Sequence, residues 1–462
     1  MKLKVPFLIF STFSSGFSQA GYSLYEGQYG ELNMGLLAET AVFGELNNQG
    51  GASQKIGLTD VFWDLNIKPH LEGSFNTFNG SKIYGGFSYA YTSSLGHDPS
   101  GYTKHGVQID ATRESDYTIP GTYKDYRYLD APEDLYAGWH SGKLFDADEN
   151  ITFDLSGGRQ KFNIGSGFLI SYGAENGGNR GGGYLWPRTA FNNTIIGRIN
   201  IHDTKLEGFY LETRPLNPAD KRSYSGFNIE HKISDTSNIG FSYINTKNKR
   251  SLHDDNSTIP LGTKIIDNNT YDARFVFSPL ENFQFSSEYA YQVNMEKVPD
   301  INDKTKVDAS GGFGQLEYKR TDFLWQPALS YRYAIQNENF DGMSPGMTNW
   351  GTWFQGEITG MWMLYNTNLV THMAKLVLNP SIDITTNLIY FKYNFLNPSV
   401  FDQTASNYGS EINLITDWQY NEMIKFTASI ASFMPGDGAQ QYMGGDANKT
   451  WLQGMLYASF NY

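Results

Sequence analysis

From about residue 28 to the C-terminal residue, apolar and polar side chains alternate one by one in segment after segment, the signature of strands with one apolar and one polar face. The clearest run is Gln326 to Gln336, where Trp325, Pro327, Leu329, Tyr331, Tyr333 and Ile335 interleave with Gln326, Ala328, Ser330, Arg332, Ala334 and Gln336. Tyr271, Ala273, Phe275 and Phe277 stand in the same way against Asp272, Arg274 and Val276. Phe283, Phe285, Ser287, Tyr289 and Tyr291 stand against Gln284, Ser286, Glu288 and Gln292. In a soluble sandwich such a face meets a second sheet; in a membrane barrel it meets lipid while the polar face lines water.

The connections decide between the two. Short turns are expected near Pro69, at 146–150, 202–204, 234–237, 279–282, 321–322, 379–381 and 421–422. Long polar segments lie between them at 45–59, 95–131, 173–187, 214–222, 248–269, 297–307, 337–351, 395–407 and 435–449. Alternating short and long connections are the wiring of an up-and-down outer-membrane barrel, with tight periplasmic turns and long external loops. Nine hairpins give eighteen strands, with sixteen as the alternative because Gly-rich stretches such as 156–167 blur strand ends. The last strand places Leu452, Gly454, Leu456, Ala458, Phe460 and Tyr462 on one face. Such an aromatic-ended strand is what the barrel-assembly machinery engages, an expected partner alongside outer-membrane lipid.

Residues 1–20 read as a secretory signal, with Lys2 and Lys4 before the apolar stretch Val5 to Phe17 and small residues Ser18 and Ala20 at the cleavage point. Residues 21–462 then form one barrel domain in the outer membrane, with no composition break to suggest a second. The absence of cysteine among 462 residues excludes a disulfide scaffold, a thiol nucleophile and a zinc-cysteine site. A net charge of −13 argues against a nucleic-acid partner. Hydrophobic residues at 40% with aromatics at 15% are too polar for a helical membrane protein and too aromatic for a disordered chain.

Signs of catalysis are few. The eight histidines are scattered, with no His-Glu-x-x-His pair for a metal, and no cofactor is expected. The Gly-rich run Gly177 to Gly183 lacks the Lys-Ser/Thr of a phosphate loop and reads as an external loop. Asp146, Asp148 and Glu149 lack EF-hand spacing and read as a solvated turn. Tyr184 and Trp186 could offer sugars a stacking face, but the same pattern marks membrane-interface residues.

The polar faces carry a set of cations. After an expected bulge at Gly157-Gly158, Arg159, Lys161 and Asn163 alternate with Gln160, Phe162 and Ile164. Arg188, Asn192, Arg198 and Asn200 share one parity, and Phe191, Ile195, Ile199 and Ile201 the other. With Arg274 and Arg332 these form a basic lumenal set, able to bind an anionic solute and set anion selectivity. The competing role is bracing the wall against inward acids such as Glu288, Glu317, Glu411 and Asp417.

The stretch Gly158-Arg159-Gln160 with Ile164-Gly165, followed by Trp186-Pro187-Arg188-Thr189-Ala190-Phe191, resembles the alginate-export family of outer-membrane proteins. Gly409-Ser410-Glu411-Ile412-Asn413-Leu414 and Phe433-Met434-Pro435-Gly436-Asp437 resemble that family's C-terminal segments. The resemblance implies a monomeric eighteen-stranded barrel passing a polyanionic uronate polysaccharide through an arginine-lined pore. At the matching positions, Arg159 and Arg188 would form its constriction, with Arg198, Arg274 and Arg332 beside them.

The expectation is a non-enzymatic porin for passive diffusion of an anionic saccharide or similar small hydrophilic anion. The rivals are a barrel that sheathes a partner protein and a barrel hydrolase. The neighbours His140 and Ser141 do not make a catalytic pair, because adjacent strand residues face opposite ways.

Overall fold

The computed structural model describes residues 21–48, 59–96, 126–146, 148–173, 185, 188–214, 221–248, 265–297, 304–346, 354–363, 366–443 and 447–462. Residues 1–20, expected to be a secretory signal, the run Gly177 to Gly183, Tyr184 and Trp186 lie outside the described residues.

The alternating segments become strands. β1 (Tyr22–Gly27) is short, and β2 (Gly30–Leu46), β3 (Thr59–Asn76), β4 (Lys82–Gly96), β5 (Tyr126–His140) and β6 (Ile151–Gln160) follow it. Next come β7 (Phe191–Ile201), β8 (Thr204–Glu212), β9 (Arg222–Ser234), β10 (Ser237–Asn248), β11 (Ile265–Leu280) and β12 (Phe283–Lys297). β13 (Lys304–Lys319), β14 (Ala328–Gln336), β15 (Leu369–Ser381), β16 (Ile384–Phe395), β17 (Asn407–Gln419), β18 (Ile424–Pro435) and β19 (Trp451–Asn461) complete the sheet.

Each strand from β2 onward pairs antiparallel with the next, and β19 returns to β2 from Leu452 opposite Leu46 to Asn461 opposite Leu37. Closure removes both sheet edges, so eighteen strands satisfy their backbone groups without water, as a bilayer requires. The nineteenth strand, β1, is not a stave of the barrel. It pairs with β2 below the end of β19, from Tyr22 opposite Met34 to Gly27 opposite Gly30.

The two faces separate as the alternation requires. Along β14, Leu329, Tyr331, Tyr333 and Ile335 are exposed on the outside, while Ala328, Ser330, Arg332, Ala334 and Gln336 are buried inside. Near one rim Trp418, Tyr420 and Phe426 form an outward aromatic group, with ring centroids 5.4 and 5.5 Å from Trp418. Rings there meet the bilayer interface, where an apolar body and a polar tip are both satisfied.

Seven of the expected short turns fall within three residues of a strand junction; Pro69 does not. It sits inside β3, where β3–β4 pairing skips from Ile67 opposite Tyr91 to His70 opposite Ser88, an irregularity that tolerates a residue without an N–H. The turn itself is 77–81, where Asn79 and Gly80 take left-handed φ of 54° and 72°. Strand β14 begins at Ala328 rather than Gln326, because Trp325 and Gln326 are also left-handed, at 62° and 42°.

Candidate functional site

Two connections expected to be external fold into the lumen instead. After β6 ends at Gln160, the chain carries Phe162, Ile164, Phe168, Leu169 and Ile170 into a buried cluster with Phe209, Phe313, Phe340 and Phe354. Lys161 and Asn163 therefore lie on the first infolded loop, described over 161–173, 185 and 188–190, and not on a strand, as the alternation had placed them. The described residues 337–346, 354–363 and 366–368 belong to the second infolded loop. Phe168 sits between Phe313, Phe340 and Phe354, with ring centroids 5.6, 5.8 and 5.8 Å away. Phe191, expected to face outward, is fully buried against Tyr224 at 6.3 Å, edge to face.

A β-bulge in β5 builds the first cationic group. Tyr89 pairs with Pro132 and Phe87 with Leu135, so the single residue Ser88 faces both Glu133 and Asp134, and both acids are buried. Ser88 Oγ donates to Asp134 at 2.5 Å and accepts from the Asp134 backbone N–H at 3.0 Å. Around this bulge three guanidinium groups converge. Arg159 Nη1 and Arg214 Nη1 donate to the same carbonyl, Pro132 O, at 2.8 and 3.1 Å. Arg188 and Arg214 approach Glu133 Oε2 at 3.9 and 3.7 Å. Arg159 also donates to Asn192 Oδ1 at 2.9 Å, while its buried Nε has no protein partner.

Glu133 is simultaneously an anchor. Its Oε1 accepts the backbone N–H groups of Thr189 and Ala190 at 2.7 and 2.9 Å, and Arg188 Nη2 donates to Ala90 O at 3.1 Å. The returning limb of the first loop is thereby tied to β4 and β5.

The second cationic group is a two-row ladder of mixed charge on β6 to β12. In one row Asp154, Arg198, Glu207, Asn228, Ser242 and Asp272 stand opposite one another on successive strands. In the adjacent row Lys205, Glu230, Gly240, Arg274 and Glu288 do so. Arg198 bonds Glu207 at 2.9 Å and Asp154 at 3.3 Å, and Lys205 bridges Glu207 and Glu230 at 3.1 and 3.0 Å. Arg274 donates to Ser242, Asp272 and Glu230 at 2.8, 2.7 and 2.9 Å, and also to Asn228. It lies where a Cβ on Gly240 would sit 2.7 Å from its Cζ and one on Gly165 of the first loop 2.5 Å from its Cδ. Small residues on wall and loop thus enclose the guanidinium.

Arg332 belongs to neither group. It is 1% exposed, donates to Phe354 O at 2.6 Å and lies 4.2 Å from the centroid of the Phe354 ring, so it fastens the second loop to β14. The structure therefore brings Arg159 and Arg188 together, with Lys161 beginning the adjoining loop, and separates them from Arg198 and Arg274 in the ladder and from Arg332. Arg214 and Glu133 were missed, as members of a loop and of a bulge whose parity the alternation could not assign.

Of the inward acids expected to brace the arginines, Glu288 stands opposite Arg274, and all four make further or other bonds. Glu411 accepts the backbone N–H groups of Ile358 and Thr359 at 2.9 and 2.8 Å, and Glu288 accepts from Ser166 Oγ at 2.7 Å. Glu317 accepts from Ser330 at 2.9 Å, and Asp417 pairs with Lys425 at 2.7 Å. His140 and Ser141 serve the turn beside them: His140 Nδ1 accepts Gly142 N–H at 3.0 Å and Ser141 Oγ accepts Phe153 N–H at 2.9 Å. Asp146 accepts the Asn150 N–H at 2.7 Å, as a turn residue does.

No family model and no curated protein matches the chain, so the resemblance to the alginate-export family gains no support. Solved structures are similar. OpdK of Pseudomonas aeruginosa, determined with vanillate, matches at TM-score 0.54 and 9% identity over 93% of this chain and 98% of its own. OccAB4 of Acinetobacter baumannii matches at 0.55 and 9% over 94% and 99%, and OccK9 (OpdG) of P. aeruginosa at 0.55 and 10% over 93% and 98%. At such identities the likeness speaks for the fold: the chain is a closed eighteen-stranded antiparallel barrel of the outer-membrane porin architecture.

Proposed function

We propose that the protein is a passive outer-membrane channel for small hydrophilic anions, with short uronate-type saccharides and other organic acids as the solute class. The observation that carries this reading is the gathering of three guanidiniums at the β5 bulge, where Arg159 and Arg214 share Pro132 O and Arg188 and Arg214 approach Glu133. Arg159 and Arg214 are only partly buried, and in a narrow aqueous path such groups attract anions more strongly than in bulk water. In the ladder Lys205 and Arg198 are more exposed than the acid they share, Glu207, whereas Arg274 at 8% is less exposed than its partner Glu230 at 19%. Lys205 is 32% exposed above Glu207 at 3%, and Arg198 is 18% exposed.

Two loops crossing the lumen suit small or short-chain solutes better than a bulky polymer. They also occupy the bore that a sheath for a partner protein would need. Vanillate, named with OpdK, is an organic anion of the proposed kind.

The test is the reversal potential in a planar bilayer under a KCl gradient. Replacing the two partly exposed arginines (Arg159→Ala with Arg214→Ala) should lower chloride preference severalfold, since each charge near the path is worth ~1 kcal/mol in a water-like dielectric. Arg320→Ala, in the exposed turn before β14, should leave it unchanged. An unaltered reversal potential in the double variant would mean that the converging arginines do not govern selectivity.

A further inference from the structure

The two infolded loops do not rest in the lumen independently. Ser171 N–H donates to Ser344 O at 2.8 Å, Ser344 N–H to Leu169 O at 3.0 Å and Gly346 N–H to Gly167 O at 3.1 Å, so Ile170 and Ser344 form a parallel bridge across the barrel interior. These bonds join the loops by backbone, independent of side-chain identity, into one bar.

The bar is attached to the wall around the ring, and several attachments are wall carboxylates. Asp64 on β3 accepts Leu185 N–H at 3.3 Å, Glu133 on β5 accepts two successive N–H groups of the first loop, and Glu411 on β17 accepts two successive N–H groups of the second. On the β9 and β12 side, Arg222 pairs with Asp341 at 2.9 Å, and Gln292 exchanges two 2.8 Å hydrogen bonds with the Asp341 backbone. Tyr224 and Ser344 share a hydroxyl bond of 2.9 Å.

A buried carboxylate facing two adjacent N–H groups fixes both the height and the angle of a loop, because each oxygen has its own donor at Glu411. Glu411 is fully buried, and Tyr393 stands beside it, donating to Gln355 O of the same loop at 2.6 Å. We propose that Glu411 is a positioning residue for permeation. By holding Ile358 and Thr359 against β17 it fixes the second loop and, through the Ile170–Ser344 bridge, the joined bar and the free cross-section beside it. Glu133 anchors the other loop through a single oxygen that accepts both N–H groups, and its place among the arginines makes it a poor single test.

The inference rests on the channel reading, and the two separate in measurement. Reversal potential under a gradient reports the arginines; conductance and current noise in equal salt report the bar. Glu411→Gln preserves the volume but replaces one acceptor with a donor aimed at an N–H. Single-channel conductance should shift upward from wild type with added open-state noise, while the protein keeps the heat-modifiable gel migration of a folded barrel. Because the chain has no cysteine, Ile170→Cys with Ser344→Cys can lock the bridge by oxidation. In an otherwise unaltered chain the lock should leave the current as it was, since the loops are already joined there. A folded Glu411→Gln protein with wild-type conductance and noise would overturn the proposal. If that variant fails to fold, the cysteine pair decides alone: loss of current on oxidation, restored by reductant, would show that the conducting state needs the loops apart.

Discussion

Arg159 and Arg274 carry the same charge on the same inner wall, and their neighbours give them different work. Arg274 spends its donors on Ser242, Asp272, Asn228 and Glu230 and is enclosed between Gly240 and Gly165, so it braces the wall. Arg159 shares the Pro132 carbonyl with Arg214 and donates to Asn192, both neutral acceptors. Lys161, two residues on, is one of the titratable members of this region. Desolvation by its surroundings, with the nearby charge of Lys68 adding to it, brings its ammonium down to about 8. Below that value Lys161 is charged and adds to the cationic field; as pH rises through it the charge is lost. Chloride preference should therefore decline between pH 7 and pH 9, and Lys161→Met should flatten that decline. An equally steep decline in the variant would assign the titration elsewhere. The alternation of Arg159 with Gln160 could be read from sequence, because a strand presents every second residue to one face. Whether a given arginine binds solute or braces the wall could not, because its partners come from strands up to 98 residues away.

At the scale of elements, the strands announced themselves and the irregularities did not. Asn79-Gly80 was a readable turn signal that Pro69 obscured, since proline marks bulges as well as turns. The infolded loops had a signal too. Phe162, Phe168-Leu169-Ile170, Phe354 and Ile358 are apolar residues in segments that would be polar if they were external, and they form the inner clusters. The Gly157-Gly158 bulge was expected, and its register shift lies between Gly158 and Gln160. Gly158 has φ of +120°, and a Cβ there would lie 2.4 Å from Leu135 O, so the position requires glycine. Gly158→Ala should cost about 1–3 kcal/mol, read as a lower urea midpoint for unfolding from lipid vesicles. An unchanged midpoint would mean that the bulge relaxes without cost and does not fix Arg159 against β5.

For the whole molecule, a chain of net charge −13 can still present cations to its lumen, because much of the acid is used in construction. Asp64, Glu133, Glu288 and Glu411 hold loops, and Asp272 lies buried beneath Arg274. Strand number and closure followed directly from the pattern of connections, while the charge facing the lumen depends on which acids are used to hold the loops. The central claim is that this barrel conducts small anions past the arginines at the β5 bulge. The most direct measurement is the reversal potential of the purified wild-type protein in a planar bilayer under a KCl gradient, followed by addition of an oligouronate to one side. The account predicts an anion-preferring potential and a current that the oligouronate reduces. A cation-preferring potential, or no current through a folded barrel, would contradict it.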